Sequence, residues 1–537
     1  MTLRRLSTWA GLALALAWLH ASLAFANIWP TLGIRLNDGL SLDAGLALLV
    51  LALWSAHTHT PALSPRAVRR WSWLWVVLII GHYIEATARA LYGRSVNIYW
   101  DLKLLPDVGS MFAFVARPEL VAAVVAVALL VPVALYLPTR LAWSTVVQAC
   151  ELPAVRRVIA TVGTALVALW TTFWWITPPG GETRAVRSVV WSIVEETAEF
   201  AVEASGLNRR SLPDTPALDT SLTAVRGADV LVLFLESYGM TSWERPEITT
   251  VVSPARDRLA HALADTGYSV VTTRVESTTF GGESWLAHIS LLSGIEVRDP
   301  DINRRLMLET RTTLPKVFSQ AGYHTLAVMP GIQLDWPEGR FYGFDRIHAF
   351  NDLKYAGPSF GWWDVTDQFA LARLDQFAVE ARRAGQPVMA FLPSISTHAP
   401  FMPVPPYQSD WSRIVTPTPY DEAELQRAYE DVPDWTDLTP GYSKALAYSH
   451  DTLAGYLRTQ GDRDLVLVVV GDHQPAALIT GEGATWDVPA HVITRRPDLL
   501  QRLRDQGFAD GLAPPAQTRA RMDTLLPLLL SAFGGTR

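Results

Sequence analysis

The chain has 537 residues, 49% of them hydrophobic, and its mean hydropathy of +0.16 is too high for an ordinary soluble enzyme. The formal net charge of -7 is modest, and the absence of a basic stripe or repeat argues against nucleic-acid binding. The apolar excess lies in the first part of the chain, so the composition predicts two differently solvated parts.

Five apolar stretches of the first part are each long enough to cross a bilayer core of roughly 30 Å as a helix. They cover approximately residues 8 to 28, 39 to 57, 72 to 92, 113 to 137 and 157 to 177. The first stretch could pass for a secretory signal, but no small-residue cleavage site clearly follows it, and further spans do. We therefore predict a retained anchor and a multi-span α-helical transmembrane domain over residues 1–180.

The orientation of this domain follows from basic residues, because Lys and Arg concentrate in short cytoplasmic loops. The arginines before the first span, in the second loop and around the fourth loop are Arg4, Arg5, Arg66, Arg69, Arg70, Arg140, Arg156 and Arg157. They predict an N-terminus inside the cytoplasmic (inner) membrane. An odd number of crossings then places everything after about residue 178 in the periplasm or cell exterior.

The second part alternates apolar runs with segments long enough for crossover helices, a pattern typical of an α/β domain with a mostly parallel sheet covered by helices. The strand candidates are residues 229–235, 269–273, 324–329, 388–393 and 465–470. We predict a juxtamembrane helix and linker over residues 181–225 and an extracytoplasmic catalytic domain over 226–537. Residues 400–441 lack clean periodicity and are predicted to form a long loop or lid.

Two of these predicted strands each run into residues that can bind a metal ion. One ends at Glu236, and the other runs through Gly471 into Asp472 and His473. Ligands gather at the carboxyl ends of the strands in open α/β sheets, so both tips can face one crevice. Between them, a glycine-hinged turn opens a helical stretch at Ser284, where backbone amides favour an anion. Ser284 is therefore the candidate nucleophile.

The order and spacing of four motifs carry a family resemblance. They are Glu236-Ser237, the Gly-Gly-Glu-Ser284 turn with Gly294 ten residues later, the Ser396-Thr397-His398-Ala399-Pro400-Phe401 segment, and Gly471-Asp472-His473. Together they resemble the alkaline phosphatase and sulfatase superfamily and, within it, the lipoteichoic acid synthase and phosphoglycerol transferase branch. The resemblance implies an alkaline-phosphatase-like domain in which Glu236, Ser284, Asp472 and His473 bind one divalent metal.

The nucleophile departs from the pattern of that branch, which usually has threonine. Glu283 and Thr279 remain rivals in register, although Glu283 cannot simply replace the alcohol and Thr279 stands early in the turn. A serine hydroxyl needs activation, which coordination to a divalent cation provides, and phosphoryl transfer needs neutralisation of charge on the equatorial oxygens. His398 is a candidate for that second role.

The remaining predicted parts are the substrate contacts and the metal. Trp336 and Arg340 loosely resemble the family's headgroup-binding Trp and Arg, with a different spacing. Carboxylates, one imidazole and an alkoxide suit manganese or zinc, and the sequence does not choose between them.

The leading hypothesis is a metal-dependent membrane phosphotransferase. It would move a phosphoglycerol-type headgroup from a phospholipid donor to an extracytoplasmic glycan or polymer, through a covalent phosphoserine-type intermediate. The alternatives are a hydrolase of the same superfamily, a sulfatase or phosphodiesterase, and an inactive membrane sensor or scaffold. Against a formylglycine sulfatase, the turn has no Cys/Ser-x-Pro-Ser-x-Arg pattern. Against the phosphoethanolamine transferases, the single cysteine, Cys150, lies outside the catalytic domain.

Overall fold

The structure is a computed structural model that describes residues 3–28, 32–36, 39–58, 63–92, 96, 98–176, 188–205, 212–333, 336–361, 364–481 and 483–534. The chain divides into two compact units, Met1–Arg209 and Arg210–Arg537. The predicted domain boundaries at residues 180 and 225 stay predictions.

The first unit is helical, with one short antiparallel hairpin made of β1 (Phe25–Asn27) and β2 (Ile34–Leu36). Its helices are α1 (Leu3–Ala21), α2 (Leu42–Thr58), α3 (Pro65–Tyr92), α4 (Ile98–Val115), α5 (Pro118–Ala149), α6 (Pro153–Ile176) and α7 (Val189–Ser205). Helices α2 and α6 approach closely at two glycines, because a Cβ on Gly163 would lie 2.8 Å from the carbonyl oxygen of Gly45. Small residues permit this kind of close helix packing in membrane proteins.

Two helices in the described part of the chain are long and apolar enough to cross a membrane, Pro118–Ala149 and Pro153–Phe173. The predicted count of five spans therefore stays a prediction. The predicted fourth span, 113–137, is misplaced at its start, which falls in the end of α4. The helix α5 begins at Pro118, because proline is preorganised for a first helical position and holds Arg117 extended, with φ -61° and ψ 143°.

The second unit is built around a nine-stranded sheet in the described residues, ordered β10-β4-β9-β8-β3-β7-β5-β6, with β11 beside β4. The strands are β3 (Asp229–Leu235), β4 (Ser269–Glu276), β5 (His324–Met329), β6 (Arg346–Ala349), β7 (Val388–Pro393), β8 (Leu465–Gly471), β9 (Asp487–Thr494), β10 (Ala509–Asp510) and β11 (Ala520–Arg521). Strands β9 and β10 run antiparallel to their neighbours, and the other pairs of the described sheet are parallel, so the predicted mostly parallel sheet is confirmed.

Helices cover both faces of this sheet. They are α8 (Thr241–Glu244), α9 (Pro246–Thr266), α10 (Ser284–Ser293), α11 (Pro300–Leu306), α12 (Leu314–Gln320), α13 (Phe350–Leu353), α14 (Asp367–Phe377), α15 (Val379–Arg383), α16 (Glu422–Glu430), α17 (Thr439–Thr459), α18 (Ala477–Thr480), α19 (Pro497–Asp505) and α20 (Met522–Phe533). Alternate residues of β3 enter two different cores, one packed with α10 and α20 and the other with α9 and α17. Burial on both faces explains why this strand is apolar at nearly every position.

The register of the central strands brings the metal-ligand candidates to one edge. Leu235 of β3 lies opposite Gly471 of β8, so the residues that follow them, Glu236 and Asp472, lie side by side at the end of the two strands. Strand β4 is antiparallel to β9, which is antiparallel to β8, so β4 ends at the same edge. Gly471 permits this convergence, because a Cβ there would lie 1.9 Å from the carbonyl oxygen of Tyr238.

The predicted loop over residues 400–441 contains regular structure, the helix α16. It is also fixed to α14, where Gln408 N donates to Gln368 Oε1 at 3.1 Å and Gln368 Nε2 donates back to Gln408 O at 2.5 Å. The sequence missed the helix because proline and aromatic residues surround a short nine-residue segment. A lid function stays a prediction.

Candidate metal and nucleophile centre

The structure brings together the four residues that the sequence singled out as a metal site. Ligand atoms of Glu236, Asp472 and His473 all lie within 4.8 Å of one another. Ser284 Oγ donates to Glu236 Oε2 at 2.9 Å and lies 3.1 Å from His473 Nε2. The ends of β3 and β8 and the start of α10 therefore supply one compact group of oxygen and nitrogen atoms.

Asp472 presents one satisfied and one unsatisfied carboxylate oxygen. Its Oδ1 accepts hydrogen bonds from the backbone N–H groups of Ser237 and His473, each at 2.7 Å. Its Oδ2 is buried and accepts no hydrogen bond from the described residues. Buried carboxylate oxygens are rarely left without a donor, so this atom indicates a cationic ligand.

His473 is held with its Nε2 atom toward the nucleophile. Its Nδ1–H donates to the carbonyl oxygen of Gln474 at 2.7 Å, which leaves the Nε2 lone pair toward Ser284 when the ring is neutral. Such a second hydrogen bond is how proteins orient a metal-binding imidazole. Nε2 also lies 3.4 Å from Glu236 Oε1.

The protonation of the three groups is governed by their burial and mutual charge. Burial, together with the charge of Glu236, raises the pKa of Asp472 well above its ordinary value. Burial also opposes ionisation of Glu236, but the hydrogen bond and the positive charge of His473 outweigh it and lower the pKa of Glu236. Burial is likewise outweighed at His473, whose pKa the two carboxylates raise to about 9. The two acids thus stabilise positive charge between them.

The donor set fits a divalent ion. Two carboxylates, one imidazole nitrogen and one hydroxyl are ligands that manganese and zinc accept. Asp472 Oδ2 accepts no hydrogen bond and lies 3.8 Å from His473 Nε2, and this open acceptor is the observation that a purely structural cluster would lack.

Three hydroxyl side chains that sequence reasoning missed hold Glu236 in place. Ser394 Oγ accepts from the Glu236 N–H at 3.0 Å, and Thr397 Oγ1 donates to its carbonyl oxygen at 2.5 Å. Ser237 Oγ donates to Glu236 Oε1 at 3.0 Å from a left-handed backbone conformation, with φ +55°. Ser237 thereby links Glu236 to Asp472, which its N–H also contacts.

The turn before Ser284 is fixed against the Asp472–Gln474 segment. Gly281 N donates to Gln474 O at 3.0 Å, and Ser277 Oγ donates to Asp472 O. The rival Thr279 directs its hydroxyl to Gly282 O at 2.6 Å, within the turn. The rival Glu283 precedes helix α10 with φ +59°. Of the two hydroxyls, the one on Ser284 contacts the cluster.

The three predicted substrate contacts lie in different surroundings. His398 follows Thr397, whose hydroxyl contacts the Glu236 carbonyl oxygen, and its Nδ1 lies 2.8 Å from the Ala399 carbonyl oxygen. Trp336 packs beside Tyr342, with ring centroids 5.6 Å apart, and Arg340 is exposed. No hydrogen bond or ion pair within the described residues joins Trp336 or Arg340 to the four-residue cluster.

A comparison with protein families matches residues 188–492 to the Sulfatase family, more than half of the chain. The chain belongs to the Sulfatase family. The predicted superfamily is confirmed, and the protein is an enzyme of that metal-dependent superfamily. No curated protein matches the sequence.

Solved structures similar to this sulfatase-family chain include lipoteichoic acid synthase LtaP from Listeria monocytogenes, at 14% identity and TM-score 0.37, covering 60% of this chain and 78% of that one. Another is the integral membrane lipooligosaccharide phosphoethanolamine transferase EptA from Neisseria meningitidis, at 11% identity and TM-score 0.48, covering 92% and 87%. A third is phosphoglycerol transferase GacH from Streptococcus pyogenes, at 12% identity and TM-score 0.34, covering 64% and 91%. The family assignment rests on the Sulfatase match.

Proposed function

We propose that this protein is a metal-dependent membrane phosphotransferase. It moves a phosphoglycerol-type headgroup from a phospholipid donor to an extracytoplasmic glycan or polymer through a covalent intermediate on Ser284. The observation that carries the proposal is the Ser284 hydroxyl held between Glu236 and His473, beside the unpartnered oxygen of Asp472.

Glu236, Ser284, Asp472 and His473 are the proposed holders of one divalent ion, manganese or zinc. When bound, such an ion would lower the pKa of the serine hydroxyl and neutralise charge on the phosphoryl oxygens. Ser284 is also the first residue of the ten-residue helix α10, whose N-terminal N–H groups and dipole favour an anion.

In the first step, Ser284 Oγ forms a bond to the donor phosphorus, and its proton leaves toward Glu236 Oε2, the acceptor of its hydrogen bond. The bond from phosphorus to the diacylglycerol oxygen breaks, and diacylglycerol leaves after that oxygen takes a proton from water, while Glu236 keeps the proton from Ser284. In the second step, the acceptor oxygen bonds to phosphorus and gives its proton to water, the bond from phosphorus to Ser284 Oγ breaks, and Glu236 returns its proton to Ser284. His398 is proposed to donate to the phosphoryl oxygens, and Trp336 and Arg340 to contact the headgroup.

The membrane setting supports a lipid donor over a soluble one. The helix α5 has a mean hydropathy of 2.8 over its most apolar window, and none of that window is buried within the protein. A helix of this kind needs lipid around it. We propose that the chain is a multi-pass protein of the inner membrane, with its N-terminus inside and the catalytic unit in the periplasm.

Intact mass spectrometry tests the covalent step. The full chain in detergent with manganese or zinc is exposed briefly to phosphatidylglycerol, alongside Ser284→Ala and Thr279→Ala. We expect a phosphoglycerol-sized adduct on the wild type and on Thr279→Ala, and none on Ser284→Ala. An adduct on Ser284→Ala would move the nucleophile elsewhere. Steady release of glycerol phosphate to water without an adduct or transfer would favour a hydrolase.

A further inference from the structure

A small cavity lies within the catalytic unit on the side of the sheet covered by α9 and α17. Its polar wall consists of Tyr238, Trp243, Arg256, His450 and His491, and six aliphatic side chains complete it. It has room for about one water-sized particle. None of the four proposed metal ligands lines this cavity.

Arg256 brings a buried charge to this wall. Its side chain is 5% exposed, and its Nη2 donates to Ser242 O at 2.9 Å and to Ser242 Oγ at 3.0 Å. Its Nε and Nη1 atoms are buried and meet no acceptor in good hydrogen-bond geometry among the described residues, although the phenol of Tyr238 lies near the guanidinium. The Trp243 ring, 3.6 Å from the guanidinium carbon, provides a cation–π contact but accepts no conventional hydrogen bond.

No carboxylate compensates this guanidinium in the described part of the chain. Two acidic residues close in sequence to the wall bind other arginines. Glu244 accepts from Arg274 Nη1 at 2.7 Å. Asp451 accepts from Arg258 Nε at 2.6 Å. An unpaired buried charge is costly, so this guanidinium favours an anionic ligand beside it.

The phenol of Tyr238 does not supply the missing charge, because a directional chain of hydrogen bonds uses its proton. Thr272 Oγ1 donates to Gly511 O at 2.5 Å and therefore accepts from His491 Nδ1 at 2.7 Å. His491 Nε2 then accepts from the Tyr238 O–H at 3.1 Å, while Trp243 Nε1 donates to the same phenolic oxygen at 3.0 Å. The side chains of Thr272, His491, Tyr238 and Trp243 are therefore all hydrogen-bonded in their neutral forms.

The two histidines add no second charge. His450 Nδ1 donates to Leu446 O at 2.8 Å, which fixes one neutral tautomer. Burial, helped at both rings by the charge of Arg256, lowers the pKa of His450 and of His491 to about 3. Near neutral pH, Arg256 is therefore the one cation on the cavity wall.

We propose that this cavity binds a monoatomic anion of the chloride class, which accepts hydrogen bonds from Arg256 Nε and Nη1. Charge-assisted hydrogen bonds of this type satisfy both orphaned donors and neutralise the guanidinium. The small volume and the aliphatic walls exclude phosphate, sulfate and carboxylate ligands. This site is independent of the proposed phosphotransfer.

Thermal unfolding of the full chain in detergent tests the proposal. Chloride replaces gluconate at constant ionic strength, for wild type, Arg256→Met and Arg258→Met. Arg258 lies on the same helix but is 53% exposed, so its variant is the matched control. We expect chloride to raise the midpoint by about 2–5 °C in the wild type and the control, and not in Arg256→Met. An equal response in all three, or none in the wild type, would overturn the proposal.

Crystals of the wild-type chain grown with bromide give a second readout that does not depend on the folding of a variant. We expect an anomalous bromine peak within hydrogen-bond distance of Arg256 Nε and Nη1. A cavity that holds only a water oxygen, with no anomalous signal, would overturn the proposal.

Discussion

At the residue scale, the unpartnered oxygen of Asp472 separates a metal ligand from a structural acid. Asp472→Asn keeps an oxygen for the two backbone donors and removes the charge. We expect the metal-free variant to be at least as stable as the metal-free wild type, because burial and the charge of Glu236 disfavour a second carboxylate at this position. We also expect the variant to lose metal binding and turnover. Metal analysis and thermal unfolding with and without chelator measure both effects.

Asp487 provides the contrasting variant, because its buried carboxylate is paired. Arg274 Nε donates to Asp487 Oδ2 at 2.7 Å. Removing the Asp487 charge leaves the buried Arg274 only its half-exposed partner Glu244, so Asp487→Asn should destabilise the protein by about 3 kcal/mol with or without metal. An equal loss in metal-free Asp472→Asn would show that Asp472 has a structural role instead.

A second prediction concerns Ser284, which stands where the lipoteichoic acid synthase and phosphoglycerol transferase branch usually has threonine. Ser284→Thr keeps a hydroxyl at the start of α10, so we expect it to retain turnover within about tenfold of the wild type. Ser284→Ala should lose at least about 10³-fold, because removing a nucleophile typically costs that much or more. Steady-state rates at saturating metal measure the difference. Equal loss in both variants would contradict a role for the hydroxyl.

How much of this site the sequence predicts depends on whether a contact follows from strand register or joins residues that are far apart in the sequence. Glu236, Asp472 and His473 were predictable, because parallel strands in register carry their following residues to one edge. The role of Ser237 as a bridge was not, because its hydrogen bond to Asp472 joins residues 235 positions apart. Nothing local in the sequence marks such a contact. The roles of the site residues stay proposals.

At the element scale, burial decided which strands were predictable. The strands β3, β5 and β7 occupy the predicted residues, because strands buried on both faces are continuous apolar runs. The strand β6 was not predicted, because its four residues are partly exposed and too few to give a clear pattern. The misplaced start of the fourth span likewise reflects a local signal, Pro118, set within a longer apolar region.

The start of β3 carries an ion-pair cluster at the opposite end of the strand from Glu236. Asp229 Oδ2 accepts from Arg382 at 2.8 Å and Arg463 at 2.7 Å, and its Oδ1 accepts from the Val388 N–H at 2.7 Å. Asp229→Asn should therefore destabilise the catalytic unit by about 3 kcal/mol while leaving the turnover of folded protein unchanged. Denaturant unfolding and rates per folded molecule measure these effects.

Asp464 is the matched control for Asp229. It lies immediately before strand β8 and pairs with Arg496, but its side chain is 47% exposed. Solvent screens an exposed pair, so Asp464→Asn should change stability by at most about 1 kcal/mol. If the two variants lose equal stability, the buried cluster is not what secures the start of β3.

At the scale of the whole molecule, the number of membrane crossings determines which side of the membrane holds the catalytic unit. Five crossings place residue 69 and residue 308 on opposite sides. If only α5 and α6 cross, both residues lie on the same side, because both helices fall between them. The single cysteine makes this testable, since Cys150→Ser alone gives a cysteine-free background.

Two single-cysteine chains in that background, Arg69→Cys and Leu308→Cys, report the crossing number through a membrane-impermeant maleimide on right-side-out spheroplasts. Both native side chains are exposed, Leu308 at 83%. We expect Leu308→Cys to react at once and Arg69→Cys to react only after permeabilisation, because the arginines near residue 69 favour the cytoplasmic side. Reaction of both in intact spheroplasts would support two crossings. Protection of Leu308→Cys would place the catalytic unit inside and remove the extracytoplasmic acceptor from the proposal.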